Sequence, residues 1–452
     1  MEHRATRLTA ALGLALVVAI LITIAGGSPD PLGIQPAENP DAGLSNRTDV
    51  GPDPEGNVAG SGTQNETGGP SSELWTDRDI PLRELPPVQA GKRLTHGNCE
   101  GSGAGTLSHP PMDPADIGVI IPYGLTTGAH VTPIDHWYFS PAEFDSAPDT
   151  YPVYAMSDGH VYLLDYSGSN DVEDTGEVPN YGVYISLSCT NLYYETLLTS
   201  LSPRLQTVFE EERHGDQASV FVPVEAGERI GWIGGQTIDY AVLDTTHQLD
   251  GYVSPELYEV EAAKLFTADP FDYFTPKLRE TILEKYPRTS EPLAGKIDYD
   301  VEGRLRGNWF IEGTNGYRGG PIDEPPSPDY WKSHLAIYPD HLDPEATIIS
   351  VGDFAGESQQ FATPLDSPNP VTVGVGDGQI TYSLADIEYA TPNGSRWDGL
   401  SPVGPLTVDP GWERGCGLFE MPSAQTLHAE FFPGTPCNEV EGFTQEMRIY
   451  ER

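Results

Sequence analysis

Between residues 128 and 136 the chain reads Gly128-Ala-His130-Val-Thr-Pro-Ile-Asp135-His136. Imidazole and carboxylate side chains are the usual ligands of a catalytic zinc ion, which takes three of them and keeps a fourth position for water. His130, Asp135 and His136 are therefore candidate ligands, and Zn2+ is the one cofactor these residues suggest. A His–Asp pair is equally a hydrogen-bonded brace in a core. The Trp137-Tyr138-Phe139 run that follows favours packing at this point. The other histidines offer less. His160 follows a turn, His214 lies in the charged run Glu210–Asp216, and His247, His334, His341 and His428 stand alone at no ligand spacing. There is no Gly-x-Ser-x-Gly elbow, phosphate loop or dinucleotide fingerprint in the region expected to fold. Carboxylates are too abundant for any one pair to mark a glycosidase.

The elements that must position these residues are short strands. Ile117–Ile121 is apolar, Val161–Leu164 follows an Asp158-Gly159 turn, and Tyr181–Leu187 alternates large and small residues. Residues 218–224 and 229–233 continue the pattern with glycine at the turns. A strand and turn about every ten residues predicts an antiparallel sandwich or rolled sheet.

Within this pattern stand Pro152-Val-Tyr-Ala-Met-Ser-Asp-Gly159, Tyr181-Gly-Val-Tyr-Ile185, Tyr194-Glu-Thr-Leu-Leu-Thr-Ser-Leu201 and Val224-Glu-Ala-Gly-Glu-Arg-Ile-Gly-Trp-Ile-Gly234. Their order resembles the β-sheet core of the lysostaphin-type zinc metallopeptidases, the murein endopeptidases of the duplicated hybrid motif, over about residues 117–245. Family segments read roughly PVYAPADG, GNYVVI, YSTLYAHLS, VKKGQVIGYVG and HLHFE. Family ligands come from an HxxxD motif and the second histidine of a late HxH. Aligned without gaps, Ser200 and Thr237 stand where assisting histidines belong, Asp239 where a ligand histidine belongs, and Ala241 where a glutamate follows. Asp239 thus joins His130, Asp135 and His136 as a candidate metal ligand. His130 precedes Asp135 by five residues where the family has four, and a one-residue slip on a strand reverses a side chain, unless a kink at Pro133 restores its aim.

The resemblance implies the scaffold without evident machinery, since no histidine remains at positions 200 and 237 to take the water proton or steady the tetrahedral intermediate. Family enzymes cut peptide cross-links in peptidoglycan, and inactive members commonly regulate or position such enzymes. The resemblance therefore implies a degenerate, non-catalytic module used for binding or scaffolding, with a cell-envelope polymer or surface protein as partner. The alternative is an active zinc endopeptidase with a rearranged ligand set, cutting peptidoglycan or surface peptides.

The 452 residues carry 24 Lys+Arg against 68 Asp+Glu, a net charge of −44. Such a field repels nucleic acid and anionic lipid head groups, which counts against both as partners. It suits either a protein working in high salt or an acidic secreted one. Arg4 and Arg7 precede the apolar run Leu8–Ala25, so residues 1–27 read as a signal peptide or N-terminal membrane anchor, with the remainder extracellular or at the cell surface. Residues 28–115, rich in Gly, Pro, Ser and Asp, read as a disordered stalk. Asn46-Arg-Thr, Asn65-Glu-Thr and Asn393-Gly-Ser fit the glycosylation acceptor pattern. Four cysteines in an exported chain predict disulfides, with three pairings open. Cys416–Cys437 is favoured because both lie near the end of one compact region; Cys99–Cys189 would then tie the stalk to a core strand.

The expected order is a lysostaphin-like antiparallel β domain over 116–253, a helical connector over 254–294 and a second β domain over 295–452, mainly β in class. The connector's helices are expected at Pro255–Phe266 and Pro276–Tyr286, with Phe271–Phe274 packed into the core between them. In the last region Gly307-Asn-Trp309 opens the first strand and an arginine stands near the final one, loosely like the lipocalin type of small barrel. Pairing of first and last strands would close it. Either a small-ligand cavity or a purely structural barrel would fit, the latter being favoured.

Overall fold

The computed structural model describes residues 80–172, 176–322 and 329–452. The apolar run 8–25, the stalk as far as residue 79, and the acceptor triplets at Asn46 and Asn65 lie outside them. Among the described residues no helix is long and apolar enough to cross a membrane.

The fold is mainly β and antiparallel, as the strand pattern predicts. Eleven strands precede the connector's second helix: β1 (Ile117–Ile121), β2 (Trp137–Pro141), β3 (Tyr151–Tyr154), β4 (Gly159–Val172), β5 (Gly176–Ser186), β6 (Asn191–Leu198), β7 (Ser200–Leu201), β8 (Gln217–Val224), β9 (Arg229–Ile233), β10 (Ile238–Asp244) and β11 (Thr267–Ala268). The main sheet runs β1-β2-β10-β6-β5-β4-β8 with β11 added beside β10, and β3-β9-β7 form a second, small sheet. Register sorts the side chains. β10 sets Tyr240 opposite Glu195 of β6 and Trp137 of β2, and sets Asp239 opposite Thr196 and Tyr138. Because neighbours along a strand face opposite sides, an aromatic face of Trp137, Tyr193 and Tyr240 backs a polar face carrying Tyr138 and Asp239.

Outside the strands the structure departs from expectation at several places. Residues 80–115, expected within the stalk, are folded from residue 80 onward. Helix α1 (Pro87–Leu94) starts on Pro87 and buries Ala90 and Leu94, while Leu107 and Met112 enter the same core. Four well-spaced apolar anchors suffice where average composition suggested none. Gly91 is required here, since a Cβ would lie 1.5 Å from the Cys189 carbonyl oxygen. The Cys99–Cys189 disulfide fixes the arm. Helix α2 (Pro203–Glu212) was not foreseen; Ser202 caps it and Leu205 and Phe209, one turn apart, are buried.

In the connector, Pro255–Phe266 is a 3-10 segment broken at Glu261, where φ is −120° and ψ 47°. Helix α3 (Pro276–Leu283) stops three residues before Tyr286 and buries Leu278 and Ile282. Phe271, Phe274 and Tyr286 surround Trp137, with ring centroids 5.1, 6.1 and 5.0 Å from it.

The remaining strands, β12 (Gly307–Ile311), β13 (His334–Pro339), β14 (Thr347–Phe354), β15 (Glu357–Ala362), β16 (Ile380–Ala390), β17 (Thr407–Ser423), β18 (Thr426–Pro433) and β19 (Arg448–Glu451), make a closed barrel. Phe310 and Ile311 pair with Glu451 and Tyr450 to close it. Trp309, Ile337, Ile349, Phe419 and Leu427 are buried against one another inside. Cys416–Cys437 is the second disulfide. Two disulfides are characteristic of proteins that fold in an oxidising compartment outside the cytoplasm. Barrel and sheet share packing: Phe310 and Tyr317 belong to the core that fills the sheet, and Asn308 Nδ2 donates to Tyr258 OH at 2.9 Å.

Candidate functional site

His130, Asp135, His136 and Asp239 come from three places and meet on the polar face of the sheet. His130 closes a tight turn in which it and Thr127 exchange backbone hydrogen bonds of 2.9 and 3.1 Å. Asp135 and His136 lead into β2, and Asp239 projects from β10 beside Tyr138. His136 bridges the two acids: Nδ1 is 3.5 Å from Asp135 Oδ1 and Nε2 is 3.4 Å from Asp239 Oδ2. Tyr138 OH lies 3.2 Å from the same Nε2. The His130 ring stands edge-on to that of His136 with centroids 6.0 Å apart.

The residue that sequence reasoning missed is Lys264. The kinked 3-10 segment brings its ammonium to 3.4 Å from both Asp135 Oδ1 and Glu261 Oε2. Lys264 donates to Tyr317 OH at 3.2 Å and sits 4.5 Å from the centre of that ring, which the barrel side supplies. Its side chain is only 4 % exposed. A signal existed in the sequence: one of six lysines stands inside the apolar run Ala262-Ala-Lys-Leu-Phe266.

Charge in this cluster is settled by burial and by the partners together. Burial works against Lys264 being charged, but Asp135 and Glu261 outweigh it and raise its pKa. For Asp135 burial acts upward, and the Lys264 ammonium and His136 override it, holding the carboxyl well below the usual range. His136 is likewise raised against burial, by Asp239 and Asp135. Asp239 is pushed up to about 6, mainly by burial, with His136 opposing. Glu261 is raised by burial despite Lys264. Burial also lowers His130 to about 3, so its imidazole is neutral at ordinary pH.

Zinc fits this arrangement poorly. Ligand atoms must approach the ion to about 2.0–2.2 Å, yet Asp135 already carries a buried ammonium and both ring nitrogens of His136 are turned to carboxylates. A dication bound to Asp135 would lie against the Lys264 charge, which has no solvent to screen it. Among the described residues no group of three or more His, Cys, Asp or Glu side chains is disposed to hold a metal ion. The two positions of the expected assisting histidines carry hydroxyls that are themselves engaged. Ser200 Oγ donates to Asp149 Oδ1 at 2.7 Å, and Thr237 Oγ1 donates to Asp239 Oδ1 at 3.5 Å. What the cluster can do chemically is hold opposite charges together where sheet, connector and barrel meet.

No family model matches the chain, and no curated protein matches it. Among solved structures, the NMR solution structure of lysostaphin matches at 11% identity, covering 71% of this chain and 80% of that one, with a TM-score of 0.17.

Proposed function

We propose that this chain is an exported, non-hydrolytic β protein whose sheet is a degenerate lysostaphin-like module serving in binding or scaffolding at the cell envelope. The observation that carries the reading is Lys264. A peptidase of this type needs a dication among its ligands and a free base beside the attacked bond. Here an ammonium ion balances Asp135, a histidine is shared between two acids, and neither hydroxyl at positions 200 and 237 is a base. The cluster then works as a brace that fixes the sheet against the barrel. Two disulfides support work outside the cytoplasm. The order of sequence motifs over residues 117–245 supports the envelope setting.

The test is metal analysis of the full chain, wild type and Asp239→Ala, with cross-linked peptidoglycan peptides as substrate. The expected result is no stoichiometric zinc in either protein and no chelator-sensitive cleavage. One equivalent of zinc in the wild type, lost in the variant together with peptide hydrolysis, overturns the reading in favour of an active endopeptidase with a rearranged ligand set.

A further inference from the structure

We infer that Asn393 is an N-glycosylation site, receiving an oligosaccharide from a lipid diphosphate donor. The inference rests on the export reading above, because the transfer takes place on the outer side of the membrane. Asn393-Gly394-Ser395 satisfies the acceptor pattern, with a residue other than proline in the middle. Such triplets occur by chance, so geometry must decide.

The triplet forms the tip of a small turn in the connection between β16 and β17. Thr391 N donates to Ser395 O at 2.8 Å, Gly394 N donates to Thr391 O at 2.8 Å, and Ala390 pairs with Arg396. Gly394 takes φ +80° with nothing within 4 Å of where a Cβ would be, so the tip stands clear of the rest of the chain. Residues 392–396 are all exposed. Behind the turn, Trp397 Nε1 donates to Ser401 O at 2.8 Å and its ring packs 5.7 Å from Tyr389, which anchors the loop while its tip stays open. An open hollow bordered by Thr391, Arg396, Asp398 and Val403 lies alongside, giving room for a first sugar.

The side chain of Asn393 is oriented for the reaction. Its Oδ1 accepts from Ser395 N at 3.0 Å, Ser395 Oγ at 2.7 Å and Thr391 Oγ1 at 2.7 Å. A backbone N–H can only donate, so the atom facing Ser395 N must be the oxygen, and the amide orientation is not interchangeable. Every bond therefore goes to the oxygen, and among the described residues none goes to Nδ2. Donors on Oδ1, the third-position hydroxyl among them, draw charge onto the carbonyl oxygen and make the Nδ2 protons more acidic, so that removal of one by the transferase frees the nitrogen to attack. In the transfer, a bond forms from Nδ2 to the anomeric carbon of the first sugar. The bond from that carbon to the diphosphate oxygen breaks, the lipid diphosphate leaves with the electron pair, and one amide proton passes to a base of the transferase.

The experiment uses the full chain isolated from its own organism, with its cellular location and thiol state recorded, followed by mass spectrometry of the peptide containing Asn393. The expected result is a sugar mass increment on Asn393 in most chains, lost in Asn393→Gln and Ser395→Ala and retained in Ser395→Thr. An unmodified Asn393 in chains found outside the cell with both disulfides formed overturns the inference and leaves the export reading standing. Chains found inside the cell with four free thiols overturn both.

Discussion

The guanidinium of Arg452 sits 4.0 Å from the centre of the Trp309 ring, joining the last residue after β19 to the first strand of the barrel. Arg452 also donates to the carbonyl oxygens of Val301, Arg304 and Arg306, which approach from the segment before β12. The residue is 4 % exposed, so these bonds form away from water, with Asp300 the first of the groups that favour its charge. Stacking and charged hydrogen bonds together lock the seam where the barrel closes. Arg452→Ala should destabilise the barrel by about 2–4 kcal/mol, read as a loss in denaturant midpoint with the slope unchanged. Arg452→Lys keeps the charge but not the planar fork and should recover less than half. A cost under about 0.5 kcal/mol, the ordinary range of a surface change, would show that closure does not depend on this residue.

Lys264 makes a second prediction because it is the buried cation of an acidic cluster. Lys264→Met leaves the Asp135 carboxylate paired with His136 alone among the described residues, and breaking a buried pair from one side costs about 3–5 kcal/mol. The double variant Lys264→Met/Asp135→Asn removes both charges and should regain at least half of that loss. The double-mutant cycle in chemical denaturation measures the coupling. Additive losses with no recovery would mean that the ammonium and the carboxylate do not depend on each other.

These two residues show what the chain reveals of itself. The strands were legible because alternation and glycine turns are local, and barrel closure through the loose likeness of Gly307-Asn-Trp309 and an arginine near the final strand to a small-barrel pattern. Asp135, His136 and Asp239 could be gathered in advance through motif order, and the structure does bring them together. Lys264 could not be placed among them. It lies 129 positions after Asp135, on a 3-10 segment broken at Glu261, a tertiary arrangement that regular helical spacing does not predict. The folded arm at 80–115 was hidden for the opposite reason: its anchors are few and are diluted by Gly, Ser and Pro.

Asp165 predicts a dependence on pH. Its carboxyl faces the gap left by Gly182, where a Cβ would lie 2.1 Å from Oδ1. Burial pushes its pKa up to about 7, the Gly182 backbone opposing and Asp216 reinforcing. An acid with a raised folded pKa binds its proton more tightly in the native state. Its contribution to stability is therefore complete below about pH 4 and is lost as pH rises toward 7. Thermal melts between pH 4 and 8 should show a midpoint falling across that window, less steeply in Asp165→Asn. Equal slopes in the two proteins would assign the dependence to other acids.

Glu195 stands in the aromatic core of the sheet, fully buried, and neither of its carboxyl oxygens has a hydrogen-bond partner among the described residues. Burial raises its pKa well above the carboxylate range, so it is carried as the neutral acid. An unpartnered buried polar group costs about 1–3 kcal/mol. Glu195→Met, close in size and wholly apolar, should therefore raise stability at pH 7 by about 1–2 kcal/mol. A destabilisation of similar size would instead show that Glu195 bonds to ordered water in the core.

The two disulfides should differ in what they contribute. Cys99–Cys189 closes 90 residues and Cys416–Cys437 closes 21. Restriction of the unfolded chain grows with the logarithm of loop length, giving about 4–5 kcal/mol for the first and about 3 kcal/mol for the second. The first also holds the arm 80–115, whose Ala90, Leu94, Leu107 and Met112 are buried in the sheet's core. Cys99→Ser/Cys189→Ser should lower the melting midpoint more than Cys416→Ser/Cys437→Ser and expose the arm to proteolysis near residue 100. Protection of the arm in the first variant would show that its apolar anchors hold it unaided.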